Sequence, residues 1–87
     1  ESSAWLAWQF HLPEADRGTV MVFRRGDSPY LAVRYALRGL DPDASYRLTL
    51  LGQKGDWVQT GEELLQRGVR IDLDNTPDAA VIAYEKE

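Results

Sequence analysis

The stretch from Gly39 to Leu51, GLDPDASYRLTLL, constrains the fold most, because it joins a clear turn directly to a clear strand. Pro42 fixes φ at the second position of a tight turn, and the carboxylate of Asp41 can accept hydrogen bonds from nearby backbone N–H groups. The chain is therefore predicted to reverse between Asp41 and Ser45.

The strand after this turn has one apolar face. Tyr46, Leu48 and Leu50 alternate with Arg47 and Thr49, which is the period-two pattern of a strand buried on one side. A half-buried strand needs a second layer to cover it, so this segment predicts a sheet that packs against another element.

Leu40, Pro42 and Tyr46 together have the pattern of a tyrosine corner. In that motif, a tyrosine at the start of a strand hydrogen-bonds to the backbone of the preceding connection and fixes a crossover between two sheets. These three residues are predicted to be structural.

Six other segments have strand character, through alternation or through β-branched and aromatic residues. Turns are predicted between them, among them Gly26 to Pro29 and Asn75 to Asp78. The six segments are Trp5 to His11, Thr19 to Arg25, Leu31 to Leu37, Trp57 to Gln59, Val69 to Leu73 and Ala79 to Tyr84.

One segment favours a helix. Thr60 is followed three residues later by Glu63, the spacing of a capping box, and Gly68 can supply the left-handed residue that ends a helix. A short helical turn is predicted at Thr60 to Arg67. The whole pattern predicts an all-β fold, an antiparallel two-sheet β-sandwich of about seven strands with this one helical turn.

The chain has 87 residues and a net charge of -4, so we expect residues 1-87 to form a single β-sandwich domain. The acidic balance argues against nucleic acid as a partner, since phosphate binding needs a basic patch. No apolar run approaches the length of a membrane span. The absence of an initial Met indicates a fragment of a larger protein or an isolated domain. Cysteine is absent, which leaves the compartment open.

The titratable residues form no catalytic pattern. His11 is the only histidine, so a two-histidine metal site or a serine–histidine relay cannot be assembled within the chain. Glu62 and Glu63 are adjacent, and helix capping accounts for Glu63. Asp41 and Asp43 lie on a proline turn, which offers too few oxygen ligands for calcium. We therefore predict no catalytic residue, no metal site and no cofactor.

Trp5, Trp8 and Trp57 are the residues most suited to binding another molecule, either a neighbouring domain or a sugar ring. Packing in the core or against a neighbouring domain is favoured over a sugar-binding platform, because a small domain has few better sources of buried apolar surface. Leu6, Trp8 and Phe10 share one face of their strand. Trp5 lies on the opposite face, which makes it the tryptophan most expected to leave the core.

Read from end to end, the chain resembles the C-terminal β-sandwich domain of glycoside hydrolase family 36, the α-galactosidase family. The resemblance covers nearly the full length and depends on the order of several short segments. These are Trp8-Gln9-Phe10-His11, Val22-Phe23-Arg24-Arg25 with Ser28-Pro29, Leu37-Arg38-Gly39-Leu40-Asp41-Pro42 with Tyr46, Thr60-Gly61-Glu62-Glu63-Leu64 with Gly68, and the strand from Ala79 to Tyr84.

The resemblance implies a non-catalytic module that follows a catalytic (β/α)₈ barrel in a larger glycoside hydrolase. Such a module packs on the barrel and stabilises it, and the two catalytic aspartates belong to the barrel. The expected partners are that barrel, through Trp5, Trp8 and their strand, and a second copy of the module, through whichever face stays uncovered.

Two other classes of protein stay open at this stage. A carbohydrate-binding module would use exposed, coplanar tryptophans to bind a sugar. A fibronectin type III-like interaction module also has a Leu-x-Pro-x-x-x-Tyr corner, although there the corner normally precedes the penultimate strand. A helix at Thr60 to Arg67 would favour the glycosidase sandwich over fibronectin.

Overall fold

A computed structural model describes residues 5–24, 32–72 and 79–87. These residues form seven strands and one helix. The elements are β1 (Trp5–Leu12), β2 (Arg17–Arg24), β3 (Ala32–Tyr35), β4 (Ser45–Leu50), β5 (Trp57–Thr60), α1 (Gly61–Gln66), β6 (Val69–Asp72) and β7 (Ala79–Lys86).

The strands lie in two antiparallel sheets of unequal width. The larger sheet has the order β1-β2-β7-β4-β5, and the smaller pairs β3 with β6. β7 therefore lies between the β1–β2 and β4–β5 hairpins. The predicted all-β, sandwich-like fold with one short helix is confirmed.

The core lies between the two sheets because each contributing strand alternates buried and exposed side chains, with one face turned inward. Burial on β4 and β7 follows this alternation. The buried residues form one cluster that includes Val20, Val22, Leu37, Leu40, Tyr46, Leu48, Leu64, Val69, Ile71, Ile82 and Tyr84.

The turn before β4 has the geometry of a tyrosine corner. The N–H of Asp41 donates to Tyr46 Oη at 2.9 Å, and the N–H of Asp43 donates to the Asp41 carboxylate at 2.9 Å. Leu40 is buried in the core. The ring of Tyr46 therefore ties β4 to the connection that precedes it.

The helix begins and ends where its sequence signals indicate. Thr60 is the N-cap, and its side chain accepts from the N–H of Glu63 at 3.1 Å. Gly68 follows with φ 86°, in the left-handed region. Leu64 is buried, and its carbonyl accepts from the N–H of Leu37 at 3.0 Å, so α1 is attached to the core.

Several strand ends differ from the sequence-based expectation. β3 ends at Tyr35, although the alternation continues to Leu37, because the Leu37 backbone bonds to α1 in place of a strand. β7 extends to Lys86, two residues beyond the predicted end. The predicted turns at residues 26–29 and 75–78 lie outside the described residues.

Candidate interaction surface

β1 separates its side chains cleanly between the two faces of the large sheet. Leu6, Trp8, Phe10 and Leu12 are exposed, while the residues between them are half-buried. The exposed fractions reach 47% for Trp8 and 63% for Phe10. Side chains this large and apolar are normally covered, so their exposure on one continuous strand is informative.

The exposed side chains of β1 continue onto β2. Phe23 is directly opposite Leu6 in the antiparallel register, and its ring meets that of Trp8 edge to face with centroids 5.7 Å apart. We call the set Leu6, Trp8, Phe10, Leu12 and Phe23 the outer patch. It is contiguous, since its members occupy opposed and diagonal positions of one hairpin.

A band of charged side chains borders the outer patch at one end of the sheet. Arg17 pairs in register with Glu85, and Glu85 with Arg47. Arg47 also forms an ion pair with Asp56 at 3.1 Å and another with Glu87. An apolar centre beside a polar margin is the usual anatomy of a protein–protein interface.

The structure does not bring the three tryptophans together. Trp5 and Trp57 are half-buried and pack against the core, and Trp57 Nε1 donates to Gln59 Oε1 at 2.8 Å. Trp8 alone of the three lies on the outer patch. The expectation that Trp5 is the one turned away from the core is wrong, because both faces of β1 carry large apolar residues and alternation cannot tell which face is inward.

On the inner face, β1 contributes to a polar network that sequence reasoning missed. The side-chain amide of Gln9 donates to the Arg38 carbonyl at 2.9 Å and accepts from the Arg38 N–H at 2.8 Å. It also donates to Tyr84 Oη at 2.8 Å. Gln9 therefore joins β1 to β7 and to the connection before β4.

His11 continues this network. Its Nδ1 lies 2.8 Å from Tyr84 Oη and its Nε2 lies 3.5 Å from the Asp16 carboxylate. Tyr84 Oη thus contacts both Gln9 and His11, and the tautomer of the imidazole decides which atom donates in the His11 contact. The two rings are stacked, with an interplanar angle of 9°.

Asp16 connects the network to the tyrosine corner. Tyr46 Oη lies 2.9 Å from each oxygen of the Asp16 carboxylate and donates to it. Asp16 adopts φ 49°, a left-handed conformation that Asp tolerates better than most residues. Lys86 Nζ lies 3.9 Å from the same carboxylate.

Burial raises the pKa of both tyrosines in this network. Desolvation is the largest cause in each case, because it disfavours the phenolate, and the charge of Asp16 adds to it. Both hydroxyls therefore stay protonated at neutral pH and serve as hydrogen-bond donors. The network has the composition of a structural cross-link between elements.

The acidic residues considered in the sequence lie on two neighbouring backbone segments, because the N–H of Glu62 donates to the Pro42 carbonyl at 3.1 Å. Glu62 and Glu63 lie in the first turn of α1. The Asp41 carboxylate accepts a hydrogen bond from the N–H of Asp43 in its own turn. Within residues 5–24, 32–72 and 79–87, no three His, Cys, Asp or Glu side chains are grouped to hold a metal ion. The helix of this part of the chain also falls short of the length and apolar character that crossing a membrane requires.

Comparison with known protein families agrees with the fold. Residues 5–83 match the glycosyl hydrolase family 36 C-terminal domain. A search of curated proteins finds no match. The two-sheet fold with a helix between β5 and β6 is that of a sandwich module, and the matched range spans almost the whole chain. The chain belongs to the family of C-terminal domains of family 36 glycosyl hydrolases.

Proposed function

We propose that this chain is a non-catalytic module that packs through its outer patch onto a catalytic (β/α)₈ barrel and stabilises it. The parent enzyme is an O-glycosyl hydrolase of the α-galactosidase type. The family match supports a glycosyl hydrolase as the parent enzyme. The exposed apolar patch is the surface proposed to contact the barrel of that enzyme.

The observation that carries this proposal is the position of the outer patch. Five large apolar side chains lie exposed on one hairpin, whereas the polar network and the core occupy the other side of the same sheet. Burial of a large apolar side chain contributes on the order of 1.5–3 kcal/mol. A neighbouring domain that covers the patch would therefore gain a substantial stabilisation.

Binding to a family 36 catalytic barrel whose own C-terminal domain has been deleted tests the proposal. Sedimentation velocity measures whether the 87-residue chain and the barrel form a complex. Trp8→Glu and Phe10→Glu each place a charge at the centre of the patch, and we expect each to weaken the complex by about 30-fold or more.

Val58→Glu is the matched control. Val58 is exposed to 46% and lies on β5, four strands from β1 in the same sheet, about 19 Å away at the usual strand spacing. Equal weakening by all three substitutions would contradict packing through the outer patch. So would a complex that both patch variants form as well as the wild type does.

The carbohydrate-binding alternative has a separate test. Titration with galactose, raffinose and melibiose, followed by tryptophan fluorescence and NMR shifts, should leave the Trp8 signals unchanged at millimolar sugar if the patch serves domain packing. A saturable shift centred on Trp8 would instead favour a sugar-binding module.

A further inference from the structure

In the part of the chain that the structure describes, β1 is the last strand at one edge of the large sheet. Among the described residues, β1 pairs with β2 on one side and with no strand on the other. Because β1 is eight residues long, alternate residues along it present backbone N–H and C=O groups away from the sheet.

Within its own eight described residues, β1 lacks the sequence features that usually protect edge strands. β1, WLAWQFHL, contains no Lys, Asp, Glu or Pro, and its register with β2 runs without a bulge from Trp5 to Leu12. The opposite edge, β5, has four residues. A long, regular and uncharged edge strand is a template for another strand, whereas a short one is a poor template.

A groove runs along the β1 edge. It has a volume of about 420 Å³ and is lined by Ala7, Trp8, Gln9 and His11 on one side and by Tyr35, Arg38 and Gly39 on the other. The hydrogen bonds between Gln9 and Arg38 hold the second wall in place. The groove therefore lies between β1 and the connection that leads to β4.

We propose that β1 pairs edge to edge with β1 of a second copy of this chain. The two strands run antiparallel, and two five-stranded sheets become one continuous sheet. A second copy fits this edge because β1 brings no charged Asp, Glu, Lys or Arg side chain to the contact, so two copies side by side avoid like-charge repulsion within the strand pair.

Side-chain alternation restricts the register of this pairing. Residues that lie opposite each other in an antiparallel pair point to the same face of the sheet. The exposed residues of β1 have even numbers, so the outer faces of the two copies coincide only when each pair of opposed residue numbers has an even sum. Pairing along most of β1, whose midpoint lies between Trp8 and Gln9, favours the two even sums nearest to full overlap, which place Trp8 opposite Trp8 or opposite Phe10 of the second copy. Arg17 lies opposite Leu12 on β2. In an antiparallel pair, the Leu12 end of one β1 lies beside the Leu6 end of the other. The Arg17 side chains of the two copies are therefore at opposite ends of the interface in either register.

This interface is distinct from the proposed contact with the barrel. The edge uses backbone groups in the plane of the sheet, whereas the outer patch uses side chains above that plane. A sheet doubled through β1 also places two outer patches side by side on the same surface. Each proposal can therefore fail without the other.

Amide hydrogen exchange on the ¹⁵N-labelled chain at about 20 µM and about 1 mM tests whether two copies pair through the β1 edge. At the lower concentration we expect slow exchange at alternate β1 amides, those bonded to β2. At the higher concentration the intervening amides should slow by roughly tenfold or more, while those of β5 stay unchanged as an internal control.

Sedimentation equilibrium over the same range should show a monomer converting to a dimer. Phe10→Lys should weaken the dimer at least about tenfold, because it places a cation beside the shared strand pair. Val58→Lys should leave it unchanged. A chain that stays monomeric at the highest concentration would overturn the proposal, and so would a dimer whose intervening β1 amides still exchange fast.

Discussion

Tyr46 and Asp16 are joined through hydrogen bonds from one phenol to both oxygens of one carboxylate, each 2.9 Å long, although 30 positions separate them in sequence. The same phenol oxygen accepts from the N–H of Asp41. One side chain thus fixes the turn between β1 and β2 against the turn before β4.

Tyr46→Phe removes the hydroxyl and keeps the ring. We expect the free energy of unfolding to fall by about 2–3 kcal/mol, because a hydrogen bond to a charged group is lost and the Asp41 N–H loses its acceptor. Urea denaturation measures the change. Tyr35→Phe is the control, since the Tyr35 hydroxyl has no hydrogen-bond partner in the described part of the chain, and its stability should stay within about 0.5 kcal/mol of the wild type.

Asp16 combines a left-handed backbone with a carboxylate acceptor. Asp16→Ala should cost about 3 kcal/mol, because alanine adopts φ 49° with strain and offers Tyr46 no acceptor. Asp16→Asn should cost less, about 1 kcal/mol, since asparagine tolerates this conformation and retains one oxygen. Thermal or urea unfolding measures which of the two variants is the more stable. An alanine variant as stable as the asparagine variant would show that neither the backbone conformation nor the acceptor matters.

The raised pKa values of Tyr46 and Tyr84 predict a loss of stability at alkaline pH. Both phenols bind their proton more tightly in the folded than in the unfolded chain. Their contribution is therefore complete below the unfolded pKa of about 10 and declines as the pH rises through the folded values. Urea unfolding between pH 8 and pH 11 should show this decline. The Tyr84→Phe variant should show a shallower one, and an equal slope in the variant would contradict the assignment.

Gly18 lies on β2, opposite His11 of β1 and Tyr84 of β7. A Cβ at this position would lie 1.9 Å from the Phe10 carbonyl oxygen and 2.6 Å from Tyr84 Oη. Gly18→Ala should therefore destabilise the fold by about 2–3 kcal/mol. Gly52→Ala meets no atom within 4 Å and bears only the strain of φ 90°, so it should cost about 1 kcal/mol. Urea unfolding that finds the Gly52 variant less stable than the Gly18 variant would contradict the close contact.

Local patterns in the sequence predicted much of the fold. The alternation of Tyr46, Leu48 and Leu50 found β4 and its buried face, and the spacing of Thr60 and Glu63 found the start of α1. Both signals depend only on residues that are close in sequence, so they can be recognised from one short segment without knowledge of its tertiary contacts.

The candidate surface was harder to predict because it depends on contacts between distant segments. Both faces of β1 are apolar, so the choice of inner face depends on which face the second sheet covers. His11, Asp16 and Tyr84 look unrelated in sequence, since they meet only after β1, β2 and β7 have paired. No spacing rule joins residues across that range.

The central position of β7 has a consequence for how the chain folds during synthesis. The β1–β2 and β4–β5 hairpins form from neighbouring segments, yet neither pairs with the other until residues 79–86 lie between them. On the ribosome these are the last of the described strands to emerge. The large sheet therefore cannot be completed before β7 has been synthesised. Until then each hairpin has an exposed strand edge, which can pair with a strand other than β7.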